Sequence, residues 1–350
     1  MTAGSRVVVV DDSAMMRSAV IDALGGVRGV TVVGEAATGP EAIEAIASLR
    51  PDLVSLDIEL PGFDGLEVLT RVMQRHPTKV ILVSSYTTAG AETTLEGLAR
   101  GAVDFVPKPS ASEGIGIFNA RMRRAFRSAQ AAKTPVRPQA NQPADSATAD
   151  LRSARLAVIA SSTGGPGALQ QFFSAFATAP PIPMVVVQHM PPDFTRQMAS
   201  RLDRIGPVRV AEAAAGDRLE SGAALVAPGS AHVEITDGGV ELSAEAPIGG
   251  LRPRADVTMR SAAHHYGADT VGVVMTGMGT DGLIGCREIR QAGGQVLAQD
   301  GPSSTVDGMP SAVRRAGLAD HVGPPEAMAR LLAAAAATTF GRSVPSLRSN

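Results

Sequence analysis

The chain predicts an α/β protein built from two doubly wound parallel-sheet domains. Three observations predict it. At about 150 residues per domain, a length of 350 residues favours two domains. Short, near-continuous apolar segments alternate with stretches of helical spacing through residues 6–127 and again from Arg155 onward. That is the pattern of parallel strands covered on both faces. Between the two regions, residues 128–152 lack an apolar period and are rich in Ala, Pro and Gln, as linkers are. The expected division is a first domain over 1–127, a flexible linker over 128–152, a second domain over 153–340 and a disordered tail over 341–350.

In the first region, residues 6–10 are a β-branched run, read as a strand, and Met16, Val20 and Leu24 lie four apart in a helix over 13–24. Strands follow at 30–34, 52–56, 79–83 and 102–106, with helices at 39–49, 66–75, 93–100 and 117–126. The second region reads as a strand at 156–160, a helix at 167–176 introduced by Pro166, a strand at 183–188, a helix at 194–205 and a strand at 223–227. Segments 233–236 and 240–242 flank Asp237-Gly238-Gly239, a hairpin signal. A helix at 257–266, a strand at 270–276, a helix at 283–292, a strand at 295–299 and an Ala-rich helix at 326–337 complete the set. Ligands of such sheets sit at the carboxyl ends of the strands.

Composition excludes several classes. Lys+Arg number 32 against 34 Asp+Glu, a net charge of -2, so no polybasic nucleic-acid footprint is expected. Cys286 is the one cysteine, which rules out an intrachain disulfide and a Cys-x-x-Cys zinc site and fits a reducing cytosol. No apolar run approaches the ~20 residues of a spanning helix, and Asp11 and Asp12 come too early for a signal peptide. A cytoplasmic protein without membrane insertion is expected. His264 and His265 are adjacent and lack an HExxH frame, so no metal is expected there.

Two sets of residues carry chemistry. Asp11 and Asp12 follow the first strand, Asp57 ends the third, Ser84 ends the fourth and Lys108 follows the fifth. In a doubly wound sheet these ends share one edge. Three carboxylates there repel unless a hard cation neutralises them, and Mg²⁺ suits oxygen ligands. A carboxylate beside Mg²⁺ and Lys108 is a nucleophile toward phosphorus, and the added charge makes a switch. Ser84 is placed to donate to the phosphoryl group and Phe105 to repack. A lone strand-end aspartate is ordinarily a helix cap; a set of five positions at the ends of four strands argues against capping alone.

In the second region, Ser161-Ser162-Thr163-Gly164-Gly165-Pro166 joins a strand to a helix. Such a turn exposes a serine for acyl transfer, while glycines allow close approach and free helix-start amides stabilise an oxyanion. Thr163, Gly164 and Gly165 are therefore candidate oxyanion or substrate residues. Ser161, Ser162 or Thr163 capping the helix is the competing reading. His189 ends one strand and Asp281 lies in a glycine loop beyond another, completing a nucleophile, base and orienting acid.

Residues 6–127 resemble a response-regulator receiver domain, of flavodoxin-like fold, on VVVVDDS, LVSLDIELPGFDG, VILVSS and DFVPKP. The resemblance implies phosphorylation of Asp57 by a chemotaxis histidine kinase, Mg²⁺ at Asp11, Asp12 and Asp57, and a cis peptide before Pro109. ASSTGGP, VVVQHMPPDFT and VVMTGMGTDG resemble the chemotaxis protein-glutamate methylesterase/protein-glutamine glutaminase family, as do APGSAHVEI, RPRADV and VDGMP. This resemblance implies an α/β hydrolase-type domain with Ser162 as nucleophile, His189 as base, Asp281 as orienting acid and Met278 near the oxyanion. It implies demethylation of glutamate methyl esters on methyl-accepting chemoreceptors, deamidation of receptor glutamines, and no cofactor for the hydrolase. It also implies a receiver that covers the catalytic strand ends until Asp57 is phosphorylated. The chain departs from the family pattern at Ala160-Ser161, where Gly-Ala is usual, and at Asp307, where an aromatic residue usually precedes Gly-Met-Pro.

Three other readings compete: a non-catalytic, phosphorylation-dependent scaffold, a hydrolase of small-molecule esters, and a dinucleotide binder. The last rests on Gly277-Met278-Gly279-Thr280-Asp281-Gly282, which matches G-x-G-x-x-G, with Asp300 about 20 residues on. A carboxylate at Asp281 would repel a pyrophosphate there.

Overall fold

The computed structural model describes residues 4–85, 87–110, 114–134, 151 and 154–340. The first half alternates β1 (Ser5–Val10), α1 (Ala14–Gly25), β2 (Val30–Ala36), α2 (Gly39–Leu49), β3 (Leu53–Asp57), α3 (Gly65–Arg75), β4 (Lys79–Ser84), α4 (Thr88–Ala99), β5 (Asp104–Pro107) and α5 (Ile115–Ala131). All five strands are parallel, in the order β2-β1-β3-β4-β5. Val7 to Val10 and all of β3 are buried, which is why they read as unbroken apolar runs. The register pairs Val10 with Leu56, so Asp11 lies alongside Asp57 at one sheet edge.

The second half comprises β6 (Leu156–Ser161), α6 (Gly165–Ser174), β7 (Met184–Gln188), α7 (Phe194–Asp203), β8 (Arg209–Glu212), β9 (Ala223–Val226), β10 (His232–Ile235), β11 (Val240–Ser243), α8 (Ala255–Tyr266), β12 (Thr270–Val274), α9 (Leu283–Gln291), β13 (Gln295–Gln299), α10 (Met309–Arg315), β14 (His321–Gly323) and α11 (Pro325–Phe340). Seven parallel strands run β14-β13-β12-β6-β7-β9-β8, and β10 and β11 form a separate antiparallel hairpin. The chain leaves β6 toward β7 on one side and returns as β12 on the other. Such a reversal of strand order opens a crevice at the carboxyl ends, and Ser162, His189 and Asp281 all follow strands that flank it.

Several elements differ from expectation. α4 begins at Thr88, where Thr87 caps it by accepting from the Gly90 amide at 2.9 Å; its first turn is too small-residue-rich to show a period. α5 runs to Ala131, into the first residues read as linker, because Ser128 and Ala129 are buried. Residues 135–150, 152 and 153, the bulk of that linker, and the tail 341–350 lie outside the described residues. β8, α10 and β14 were not anticipated. β8 is a short edge strand with both faces partly open, and β14 has only three residues. The bond before Pro109 is not cis. Among the described residues the cis peptide precedes Pro253, and the Lys108 amide is fixed by donating to the Ser84 carbonyl at 2.7 Å.

The halves pack together over α4, β5 and α5. Phe105 stacks on Phe194 with ring centroids 4.5 Å apart, and Arg201 pairs with Glu96 at 2.9 Å. Ser128 donates to the Met278 sulfur at 3.2 Å, and the Lys133 amide donates to the Thr305 carbonyl at 3.0 Å. Val306 is buried in the same apolar cluster as Ala129 and Ala132.

Candidate active site

At the first sheet edge, Lys108 Nζ lies 2.7 Å from Asp57 Oδ2 and 4.0 Å from Asp11. Burial pushes the Asp57 carboxyl up to about 6 against the pull of Lys108. Burial likewise raises Asp11. Carboxylate oxygens of Asp11, Asp12 and Asp57 lie within 4.8 Å of one another, and Asp11 Oδ2 is buried without a hydrogen-bond partner among the described residues. An orphaned acceptor beside two further carboxylates fits a hard divalent cation. Ser84 Oγ is also buried at this edge, with no hydrogen-bond partner among the described residues. Phe105 instead faces the second domain, against Phe194.

At the second sheet edge, the register pairs Ser161 with Gln188, so Ser162 and His189 occupy adjacent positions just past β6 and β7. Gln188 locks the two strand ends. It accepts from the Ser161 hydroxyl at 2.7 Å and donates to the carbonyls of Ser162 at 2.9 Å and His189 at 3.1 Å. The three hydroxyls of the turn thereby separate. Ser161 is committed to Gln188, and Thr163 donates to Asp104 Oδ2 of β5 at 2.7 Å. Ser162 alone keeps its hydroxyl uncommitted among the described residues, at 5 % exposure.

The loop after β12 closes on this serine. Thr276 accepts from the Ser162 amide at 3.0 Å, and a methyl group added at Gly277 would lie 2.7 Å from Ser162 Cβ. The same loop carries Asp281, whose Oδ2 is 2.7 Å from His189 Nε2. Asp281 also accepts from the amides of Ala255 at 2.8 Å, Asp256 at 3.0 Å and Gly282 at 3.0 Å, thus capping α8 from another segment. Burial works to raise this carboxyl, but the bond and charge of His189 and the helix amides outweigh it and hold it down at about 2. Asp281 is therefore a carboxylate at neutral pH.

An ionised Asp281 at Nε2 fixes the imidazole tautomer with Nε2 as donor. His189 Nδ1 is left as a buried lone pair with no partner among the described residues. In this tautomer the acceptor nitrogen of the ring is Nδ1, whereas in the trypsin-like triad it is Nε2.

The oxyanion candidates divide. Gly164 takes φ +77° to start α6, and the Gly165 amide donates to the Ser162 carbonyl at 2.7 Å. Gly165 is thus not a free donor. Its missing side chain serves packing instead: a Cβ there would sit 2.0 Å from Gln188 Oε1. Gly165→Ala is expected to cost roughly 1–3 kcal/mol and to lower the melting temperature; an unchanged melting temperature would mean that this approach does not hold β6 to β7. Met278 is partly exposed and touches Ser128 of α5. Of the two departures from the family pattern, Ser161 belongs to the Gln188 lock, and Asp307 pairs with Arg314 through both oxygens at 2.9 and 2.7 Å.

Sequence reasoning missed Gln188, Asp104, Arg124, Arg254 and Asp256. Asp104 is half-buried at the domain junction, where desolvation raises its carboxyl, and Arg124 of α5 lies near both Asp104 and Asp281. The signal for Asp104 was its place beside Phe105; for Arg254 and Asp256 it was RPRADV, a motif without an assigned role. The dinucleotide reading fails here: the carboxylate in the glycine loop is committed to His189 and to the start of α8.

Fold and site together define a class: a receiver-type domain joined to an α/β domain bearing a Ser-His-Asp set. Residues 157–332 match the CheB methylesterase family and residues 7–116 the response regulator receiver domain family. A protein-glutamate methylesterase/protein-glutamine glutaminase of Pyrococcus abyssi is 42% identical over 334 residues, covering 92% of this chain and 90% of its own. One of Symbiobacterium thermophilum is 42% identical over 343 residues, covering 93% and 95%. The crystal structure of the Thermotoga maritima CheB methylesterase catalytic domain is 38% identical, with a TM-score of 0.50, covering 52% of this chain and 98% of that one. The chain belongs to the CheB methylesterase family and carries its receiver domain.

Proposed function

We propose that this protein is a phosphorylation-controlled serine hydrolase that demethylates glutamate methyl esters on chemoreceptors and deamidates receptor glutamines. The observation that carries the reading is the His189–Asp281 pair, with Ser162 and its uncommitted hydroxyl at the adjacent strand end. Ser162 Oγ attacks the ester carbonyl while His189 Nδ1 takes its proton. Asp281 holds the imidazolium that forms. Collapse of the tetrahedral intermediate expels methoxide, which takes the proton from Nδ1 and leaves as methanol. Water, deprotonated by the same nitrogen, cleaves the acyl-enzyme to give glutamate and regenerate Ser162. With a primary amide the leaving group is ammonia.

Control falls to the receiver. Asp57 accepts a phosphoryl group from a histidine kinase, with Lys108 beside it. Asp11, Asp12 and Asp57 would hold Mg²⁺, which offsets charge on the phosphoryl oxygens when bound. Ser84 is placed to bond that group. Thr163, next to residue 162, is held by Asp104, and Phe105 is pinned on Phe194; these contacts support a reading in which the unphosphorylated receiver covers the serine. In a test with methyl-labelled receptor membranes, a small phosphodonor and Mg²⁺ are expected to raise methanol release. Asp57→Ala is expected to remove that rise while keeping the basal rate. A phosphodonor response that survives Asp57→Ala contradicts the assignment. Release no faster than from membranes alone contradicts the hydrolase and favours the scaffold.

A further inference from the structure

Half-buried Arg254 and buried Asp256 form a charged pair behind the His189–Asp281 couple. Arg254 occupies the residue before α8, in extended conformation. Its guanidinium reaches three acceptors. Nη2 donates to Asp256 Oδ2 at 3.0 Å, Nε lies 3.3 Å from Asp281 Oδ1, and Nη1 donates to the Ile248 carbonyl at 3.0 Å. Asp256 in turn accepts at Oδ1 from the Gly285 amide of α9 at 2.9 Å. One carboxylate thus ties the starts of α8 and α9 together. The cation between the two acids is shared by them. Capping of α8 does not require the arginine, because Asp281 already takes the first amides of that helix.

We propose that Arg254 is a positioning residue for the reaction, acting through Asp281, and that Asp256 acts through Arg254 by fixing and partly neutralising the guanidinium. Neither touches the reacting atoms. Their effect is on orientation and on the charge felt by the imidazole that accepts the serine proton. The inference rests on the hydrolase reading given above. Other charged or titratable groups face the couple as well: Arg124 of α5 and, farther off, Asp104 of β5 from the receiver, and the Cys286 thiol of α9, which burial pushes up and keeps neutral. None of these is altered by the substitutions below.

The two residues carry opposite charge, so their removal has opposite signatures. Without Arg254 the couple becomes more negative, the imidazole holds its proton more tightly, and the acid limb of kcat/KM moves to higher pH. Without the Asp256 charge, Arg254 serves Asp281 alone and the limb moves to lower pH. A purely structural role lowers the folded fraction and leaves both limbs where they were.

The test uses the full chain with phosphodonor and methyl-labelled receptor membranes, comparing Arg254→Ala, Arg254→Lys and Asp256→Asn. Arg254→Ala is expected to lower kcat about 10- to 100-fold, as for a misplaced catalytic group, with KM little changed and with partial rescue by added guanidinium. Arg254→Lys keeps the charge without the fork and is expected to fall between Arg254→Ala and the parent in kcat and in limb position. Limbs that stay put or move in the same direction overturn the proposal. The low-field NMR proton of the His189–Asp281 hydrogen bond supplies a readout independent of turnover. It is expected to shift or broaden in Arg254→Ala and to shift in Asp256→Asn. An unchanged resonance in both overturns the proposal even where the parent releases no methanol, the result that would count against the hydrolase itself.

Discussion

Ser162→Ala is expected to abolish methanol release from methylated receptor, by on the order of 10⁴-fold or more, while leaving the melting temperature close to that of the parent. The reasoning is local. The Ser162 hydroxyl has no described partner to lose, whereas its backbone is held by Thr276, Gly165 and Gln188, which an alanine retains. Ser161→Ala is the informative contrast. It removes a buried hydrogen bond to Gln188, so it is expected to destabilise by about 1–3 kcal/mol and to leave the nucleophile in place. A Ser162→Ala protein that still turns over, with Ser161→Ala inactive, would move the nucleophile by one residue.

Asp281→Asn is expected to lower kcat by about 10³- to 10⁴-fold, the scale seen when an orienting acid in a triad becomes an amide. The amide favours the wrong imidazole tautomer: its NH₂ group donates to Nε2, and the proton moves to Nδ1, where the lone pair is needed. Stability should fall as well, since a buried carboxylate that caps α8 and pairs with Arg254 is lost. The pH dependence has a definite sign. The folded-state carboxyl is held down at about 2, below its unfolded value of ~3.9. Its contribution is therefore present above pH ~4 and is lost as pH falls toward 2. Acid unfolding of the parent should show that loss, and Asp281→Asn should flatten it. Equal acid-unfolding curves for the two proteins would mean that Asp281 is not held ionised by its surroundings.

The parts legible in the sequence are those where one local pattern suffices. β1, β3, β6 and β7 are buried, so they read as apolar runs, and the chemistry-bearing residues stand directly after them. α4 was misplaced at its start because Thr88, Ala89 and Gly90 carry no period, and β8 and β14 were lost because four- and three-residue edge strands offer too few positions to alternate. Local reading could not choose among Ser161, Ser162 and Thr163 either. What separates them is tertiary: Gln188 takes one hydroxyl and Asp104, 59 residues away, takes another. Arg254 and Asp256 were silent for the same reason, since their meaning depends on a loop 25 residues or more downstream.

The most direct test of the account is the rate at which a serine-reactive phosphonate modifies the full chain, read by mass spectrometry of the peptide containing residue 162, with and without phosphodonor and Mg²⁺. The account predicts modification at Ser162, faster once Asp57 is phosphorylated, and none in His189→Ala. Modification that is equally fast in both states and indifferent to His189 would contradict it.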